Sequence, residues 1–254
     1  MRQHRAHAGS ELTVAPRGTA LITGAAKRLG RHLALDLAAR GWRVVINYRN
    51  SAAAAQELVA EVMDAGGQAR AIQADISDSQ AVAAMVAEVQ QQEGQLNLLI
   101  NNVGNYHPGP ATELSCADWD ACIDANLSGS FYTCHHALPL LRASGGQIIN
   151  IGYAGLALNP ATPGALAYQV SKVGLLSLTR SLAVALAPDI RVNMISPGQL
   201  EDSIDLPPDL TAAIPMERAG THRDIAAAVH FLLAASYVTG QNLDVAGGYR
   251  LEAS

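Results

Sequence analysis

Two residues in the second half of the chain have the types and spacing of an acid–base pair. They are Tyr168 and Lys172, in the run Ala167-Tyr168-Gln169-Val170-Ser171-Lys172. The residues after them, through Ala183, keep an apolar stripe at helical spacing, which predicts a helix. Four positions apart on a helix, Tyr168 and Lys172 share a face one turn apart. A free tyrosine phenol titrates near about 10 and exchanges protons poorly at neutral pH. An ammonium group a few ångströms away favours the phenolate and brings that pKa toward working pH. Tyr-x-x-x-Lys therefore reads as a proton donor and acceptor. The same pair also arises on ordinary amphipathic helices, so its meaning depends on what surrounds it.

Composition sets the frame for that pair. A chain of 254 residues that is 49% hydrophobic and 15% charged suits one well-packed domain. The net charge of -5 argues against a nucleic-acid partner. No apolar run reaches the length of a membrane span, and no signal peptide with a cleavage site is visible. Met1 to Gly18 mix Arg, His, Gly and Pro without periodicity, which predicts a disordered extension (1–18) ahead of a single domain (19–254). Cys116, Cys122 and Cys134 are odd in number and lack metal-ligand spacing, as expected of reduced thiols in a cytoplasmic protein. The eight histidines form no cluster beyond the adjacent His135-His136, so no metal site is expected.

Strand-like apolar runs alternate with helix-like segments along the chain. Strands are predicted at 19–23, 43–48, 69–74, 96–100, 147–151, 190–195 and 242–245. Helices are predicted at 29–40, 51–65, 78–92, 117–143, over the Tyr168 segment, and at 223–235; Ser115 and Asp118 form a capping box ahead of the long one. Short continuous apolar strands alternating with helices mean a parallel sheet covered on both faces. The expected fold is a single doubly wound α/β domain of the Rossmann type, with about seven strands.

In such sheets ligands bind beyond the carboxyl ends of the strands, near the point where strand order reverses. After the first strand comes Thr23-Gly24-Ala25-Ala26-Lys27-Arg28-Leu29-Gly30. Gly24 permits the tight turn, Gly30 lets the helix approach the sheet, and the helix N-terminal amides are left for a pyrophosphate. Arg28 stands where a third glycine is common, and puts a permanent cation beside the phosphates and the reactive end of a cofactor. The second strand ends in Asn47-Tyr48-Arg49-Asn50-Ser51, with no acid to hold a ribose 2′-hydroxyl. Arg49 and Ser51, with Lys27 nearby, either hold a 2′-phosphate or form a solvated loop; the first reading selects NADPH. Asp75 after the third strand either accepts from an adenine amino group or caps the next helix, a role for which Ser77 competes. Asn101-Asn102-Val103-Gly104 and Asn105-Tyr106 follow the fourth strand.

Four motifs now stand in one order: Thr-Gly-x-x-x-x-x-Gly, Asn-Asn-x-Gly, Tyr-x-x-x-Lys, and Asn193-Met194-Ile195-Ser196-Pro197-Gly198. In order and spacing they resemble the short-chain dehydrogenase/reductase family over residues 18 to 250. The resemblance implies an NAD(P)(H)-dependent oxidoreductase of small molecules that assembles as a homotetramer. It implies that Asn126 holds a water in a proton relay, that Lys172 also binds the nicotinamide ribose, and that Pro197 and Gly198 line the nicotinamide. The cofactor positions it implies are Gly24, Lys27, Arg28, Leu29, Gly30, Tyr48, Arg49, Asn50, Ser51, Asp75, Ile76, Asn102, Val103 and Gly104, with Tyr168 and Lys172. A narrower similarity, carried by Arg28 and the Tyr48 to Ala52 region, is to the pteridine reductases. In those enzymes an aromatic residue shortly after Asn-Asn stacks on the pterin, and Tyr106 matches it here; Arg28 would reach the pterin's polar edge.

One departure stands out. Family members usually carry serine after the fifth strand, and pteridine reductases aspartate, whereas this chain has Tyr153 in Gly152-Tyr153-Ala154-Gly155. Tyr153 either donates a hydrogen bond to substrate or only fills space. The following loop is about two residues longer than the common spacing, and the segment Gln199 to Ala219, with Glu201, Asp202 and Asp205, is expected to cover an acid-rimmed site. The function expected is NADPH-dependent hydride transfer to a reduced pterin, with Tyr168 as proton donor. The alternatives are a 3-oxoacyl-type carbonyl reductase and a non-catalytic NADP(H) sensor.

Overall fold

The computed structural model describes residues 17–158, 161–204, 206 and 209–250. Seven strands, β1 (Thr19–Ile22), β2 (Arg43–Tyr48), β3 (Gln68–Gln73), β4 (Leu98–Asn101), β5 (Gln147–Ile151), β6 (Arg191–Pro197) and β7 (Asn242–Val245), form one sheet in the order β3-β2-β1-β4-β5-β6-β7. Every neighbouring pair is parallel. Strand order reverses between β1 and β4, so the crevice for a ligand opens there.

The continuous apolar runs are explained by two-sided burial. Successive side chains of a strand point to opposite faces, so a strand covered on both sides is apolar throughout. Ile22, Ile46 and Ile100 enter one core with Leu33, Leu37, Leu58 and Val229, which come from α1 (Arg28–Ala39), α2 (Ala52–Asp64) and α8 (His222–Ala234). Leu21, Val45 and Leu99 enter the other with Val82, Met85, Leu141 and Leu186, from α3 (Ser79–Glu93), α5 (Gly129–Ser144) and α6 (Leu166–Leu186). Each such side chain, fully buried, contributes about 1.5–3 kcal/mol of transfer free energy. Two further helices, α4 (Cys116–Ile123) and α7 (Leu210–Ala213), lie beyond the carboxyl ends of the strands they follow.

Several local expectations are corrected. The predicted helix 117–143 is divided by a π-helical turn, Asp124–Ser128, which joins α4 to α5. A π-turn inserts one residue into the helical ladder without disturbing the apolar periodicity, so the pattern gives no sign of it. Neither Asp75 nor Ser77 caps α3; Asp78 does, its carboxylate accepting from the amides of Gln80 and Ala81. Ser115 caps α4 through the Asp118 amide, but its hydroxyl also donates to the Asp118 carboxylate at 2.5 Å. The reciprocal capping box lies instead at Thr221 and Asp224, at the start of α8. Arg17 and Gly18, assigned above to the extension, are tied to the sheet: the Arg17 amide donates to Gly41 and the Arg43 amide to Gly18. Residues 1–16 lie outside the described part. Among the described residues no helix is long and apolar enough to cross a membrane, and no group of His, Cys, Asp and Glu is arranged to hold a metal ion. The three cysteines are unpaired.

Candidate active site

Two clefts open at the carboxyl edge of the sheet. The larger, of about 500 Å³, is lined by Gly24, Lys27, Arg28, Leu29 and Gly30 from the β1–α1 turn, and by Asn102, Val103, Gly104 and Tyr106 after β4. Tyr153, Tyr168, Pro197 and Gly198 line its far side. The smaller, of about 230 Å³, is lined by Arg49, Asp75 and Ile76, and shares Gly24, Val103 and Gly104 with the larger. Most of the predicted site residues thus meet along one groove. Tyr48, Asn50 and Ser51 line neither cleft, and Ser51 precedes α2 without capping it through its side chain.

The β1–α1 turn is held from two sides, by Asn47 of β2 and by Asn102 after β4. The Gly24 amide donates to Asn47 Oδ1 at 3.2 Å, while Asn47 Nδ2 donates to the Ala74 carbonyl. Asn102 Nδ2 donates to the carbonyls of Thr23 and Gly24 at 3.0 and 3.3 Å. Gly30 is required by space: a Cβ there would lie 2.7 Å from Asn102 Nδ2 and 2.8 Å from the backbone of Ala25. A backbone cradle with no side chain in its floor fits a pyrophosphate.

Arg28 departs from the usual glycine in geometry as well as identity. It sits at φ 53°, in the left-handed region. Its side chain crosses the cleft to Asp202, donating through Nε to the carboxylate at 3.2 Å and through Nη2 to the carbonyl. The cation expected to face the cofactor's reactive end is therefore engaged by the loop that follows β6. Asp202 also lies 3.3 Å from Nε2 of buried His222, whose ring stacks on His32 at 4.0 Å. Burial and the nearby His32 lower the His222 pKa, against the opposing pull of Asp202 and Glu201. The acid rim expected from Glu201 and Asp202 is thus largely turned toward Arg28 and His222; Asp205 lies outside the described residues.

At the β5–α6 side, Lys172 is buried within α6, with Nζ donating to the Ile151 carbonyl at 2.8 Å and the Val103 carbonyl at 3.2 Å. Burial lowers its pKa to about 8, partly offset by Cys122. Tyr168 stands one turn earlier, with its ring centroid 5.8 Å from Nζ. Tyr106 meets the Tyr168 ring edge-on at 5.1 Å, and the Tyr153 ring lies 5.6 Å away, tilted 32°. The Tyr153 hydroxyl is buried, with no well-formed hydrogen bond among the described residues. Burial raises its pKa, while the Arg250 charge and the Thr162 hydroxyl pull it down.

Asn126 occupies the π-turn and is fully buried. Its Oδ1 accepts from the Asn105 amide at 2.6 Å, and its Nδ2 donates to the Asn105 carbonyl and to Ser171 Oγ, both at 3.0 Å. The extra residue of the π-turn thus aims Asn126 at the backbone that carries Tyr106 and at the helix that carries Tyr168 and Lys172.

With this geometry established, comparison with known proteins decides the family. Residues 24–250 match the family model described as enoyl-(acyl carrier protein) reductase. The 3-oxoacyl-[acyl-carrier-protein] reductase FabG of Staphylococcus aureus is 38% identical over 240 residues, covering 91% of this chain and 97% of that one. The chain belongs to the short-chain dehydrogenase/reductase family. Among solved members, a dehydrogenase/reductase from Sinorhizobium meliloti superposes with a TM-score of 0.85 at 34% identity, covering 92% of this chain and 95% of that one. A blue fluorescent protein from a metagenomic library, in complex with NADPH, gives 0.86 at 31% identity, covering 93% and 99%. The chain is accordingly an oxidoreductase of a family that uses NAD(P)(H).

Some residues of this short-chain dehydrogenase/reductase site escape a reading of the sequence. Asn47, which clamps the β1–α1 turn, looks there like one more strand residue. Gln199, Tyr249 and Arg250 line the larger cleft, and Gln199 Nε2 donates to the Tyr249 hydroxyl at 3.5 Å. Gly247 and Gly248, both at positive φ just before Tyr249, are the signal that the chain folds back after β7.

Proposed function

We propose that the protein is an NADPH-dependent carbonyl reductase acting on 3-oxoacyl or related ketone groups, with Tyr168 as proton donor. The observation that carries this reading is Tyr168 on the wall of the cleft beside the glycine turn, with buried Lys172 one turn along the same helix and buried Asn126 bonded to Ser171 of that helix. The Staphylococcus aureus relative, named as a 3-oxoacyl reductase, supports the ketone over the pterin.

Gly24 to Gly30 and Asn102 to Gly104 would hold the pyrophosphate and ribose, and Pro197 and Gly198 the nicotinamide. Arg49 supports NADPH over NADH, because no acid follows β2 and its guanidinium lies in the smaller cleft, 3.5 Å from Asp75. The NADPH complex of the metagenomic neighbour agrees with this choice. Once bound, the cofactor supplies a hydride to the carbonyl carbon. Tyr168 gives its proton to the carbonyl oxygen, yielding the alcohol, and the Lys172 ammonium stabilises the phenolate left behind. Asn126, through Asn105 and Ser171, keeps the loop and helix of the site in register. The Tyr153 hydroxyl stands where family members usually carry serine, beside the Tyr168 ring, and is left to bind the substrate. Exposed Phe131, Val170 and Val184 on α5 and α6 support a homotetramer built on those helices. Three free thiols fit a reducing, cytoplasmic setting.

The test is NADPH oxidation with acetoacetyl thioesters and simple diketones against dihydrobiopterin, for wild type and Tyr168→Phe. Ketone turnover lost in the variant supports the reading. Turnover of the pterin alone would replace it with the pteridine reductase reading, in which Tyr106 stacks on substrate.

A further inference from the structure

The substrate half of the larger cleft carries a cation that the chemistry above does not use. Arg250 lines it, five residues past β7, and its guanidinium forms no ion pair among the described residues. Its position is built rather than incidental. Arg250 sits at φ 57°, and its guanidinium carbon lies 5.2 Å from the centroid of the Tyr249 ring, which stacking favours. Its backbone rests on Gly155: a Cβ on Gly155 would lie 2.8 Å from Arg250 Cβ and 2.9 Å from the Arg250 carbonyl oxygen. The Gly155 amide in turn points to the Asp244 carboxylate of β7 at 3.4 Å. Glycine after Tyr153-Ala154 thus lets the C-terminal turn close onto the β5 loop and brings a guanidinium beside Tyr153.

Tyr153 supplies a second observation. Its hydroxyl is buried and makes no well-formed hydrogen bond among the described residues, with only the Thr162 hydroxyl close to it, and it stands beside the Tyr168 ring. A buried hydroxyl without a well-formed bond is costly unless a ligand completes it. The one acid among the described residues lining this cleft, Asp202, is bonded to Arg28 on the opposite wall. A donor hydroxyl and a guanidinium with no ion pair among the described residues, both lining this cleft, together make a receptor for an anionic oxygen group.

We propose that Arg250 and Tyr153 form a carboxylate-binding subsite, so that the ketone offered to Tyr168 belongs to a free oxo acid rather than to its ester or thioester. The proposal rests on the carbonyl reductase reading and narrows its substrate class. Tyr153 holds a carboxylate oxygen together with the Arg250 fork, while the ketone oxygen faces Tyr168.

The experiment compares acetoacetate with ethyl acetoacetate in NADPH oxidation by wild type, Arg250→Gln and Arg250→Lys. The expected wild-type kcat/KM is at least about tenfold higher for the acid, as charge-assisted pairing provides. Arg250→Gln should lower the acid-to-ester ratio by about tenfold or more, through KM for the acid, and Arg250→Lys should restore part of it. Ester preferred by wild type, or a ratio unchanged in Arg250→Gln, overturns the subsite while leaving the reductase reading intact. If neither compound turns over, that reading fails for these ketones and binding decides the subsite. Acetoacetate is then titrated into the enzyme–NADPH complex while nicotinamide fluorescence is followed. Saturation lost in Arg250→Gln supports the subsite, and no saturation in wild type overturns it.

Discussion

Lys172 Nζ lies 5.8 Å from the centre of the Tyr168 ring, and its own hydrogen bonds go to the carbonyls of Val103 and Ile151. The ammonium is therefore fixed at the ends of two strands, and Tyr168 on the cleft wall is the acid of the proposed reaction. Tyr168→Phe keeps the ring and its packing and removes only the hydroxyl. The expected result is a fall in kcat of about 10²–10⁴, the usual worth of a positioned acid, with NADPH affinity unchanged by fluorescence titration. Retained turnover would exclude Tyr168 as the proton donor.

Burial of Lys172 also makes a statement about stability. Its folded pKa, about 8, is below its ordinary 10.5. Between those values the unfolded chain binds more protons, so the folding penalty is full below about pH 8 and fades as pH rises toward 10.5. The shift corresponds to roughly 3 kcal/mol at 1.36 kcal/mol per pH unit. Lys172→Met should abolish turnover, and its stability relative to wild type should decline from pH 7 to pH 10 in urea titrations. Wild-type reduction should weaken above about pH 8 as Lys172 loses its charge. A pH-independent stability difference would contradict this assignment.

Arg28 combines a left-handed backbone with a bond to Asp202. A side chain at such a φ costs about 1–2 kcal/mol that glycine does not incur, while an exposed ion pair returns about 1 kcal/mol at most. Arg28→Gly and Arg28→Ala both lose the pair, but only glycine loses the strain. Thermal unfolding should rank glycine above alanine by about 1 kcal/mol, and equal stabilities would mean the backbone there is relaxed.

Arg49 lies in the smaller cleft beside Asp75. Bonds to Asp75's carboxylate from Ser77, together with the Arg49 charge, hold the Asp75 pKa below its ordinary value despite the opposing effect of burial, so that partner stays ionised. Arg49→Ala should raise KM for NADPH by about 10- to 100-fold, the scale of one charge-assisted bond, and leave KM for NADH nearly unchanged. Equal effects on the two cofactors would assign Arg49 a structural role.

The fold was legible because buried parallel strands announce themselves: β2 and β5 coincide with the apolar runs at 43–48 and 147–151, and half-buried β7 with the run at 242–245. Glycines whose Cβ would collide, such as Gly30, were legible for a similarly local reason. What the sequence conceals is set by distant approach. Asn47 reaches the Gly24 amide from another strand, Asp202 reaches Arg28 across the cleft, and Arg250 packs onto Gly155 from beyond β7. The π-turn at Asn126 leaves the periodicity intact and shows only in where the side chain points. The pterin expectation rests on Arg28, the Tyr48 to Ala52 region and Tyr106, and the side chains of Arg28 and Tyr106 are engaged by Asp202 and by the Tyr168 ring.

The shared wall of Gly24, Val103 and Gly104 gives the two clefts a common waist. A ligand long enough to fill both behaves as a tethered pair of weaker ones, its second half docking at the effective concentration that the first half creates. Severing such a ligand at its middle forfeits that gain, so mononucleotide fragments added together make poor substitutes for the intact molecule. Blocking the waist with a bulky side chain at position 104, where a Cβ would lie 3.9 Å from Lys172 Nζ, would break the tether and disturb the lysine at one stroke.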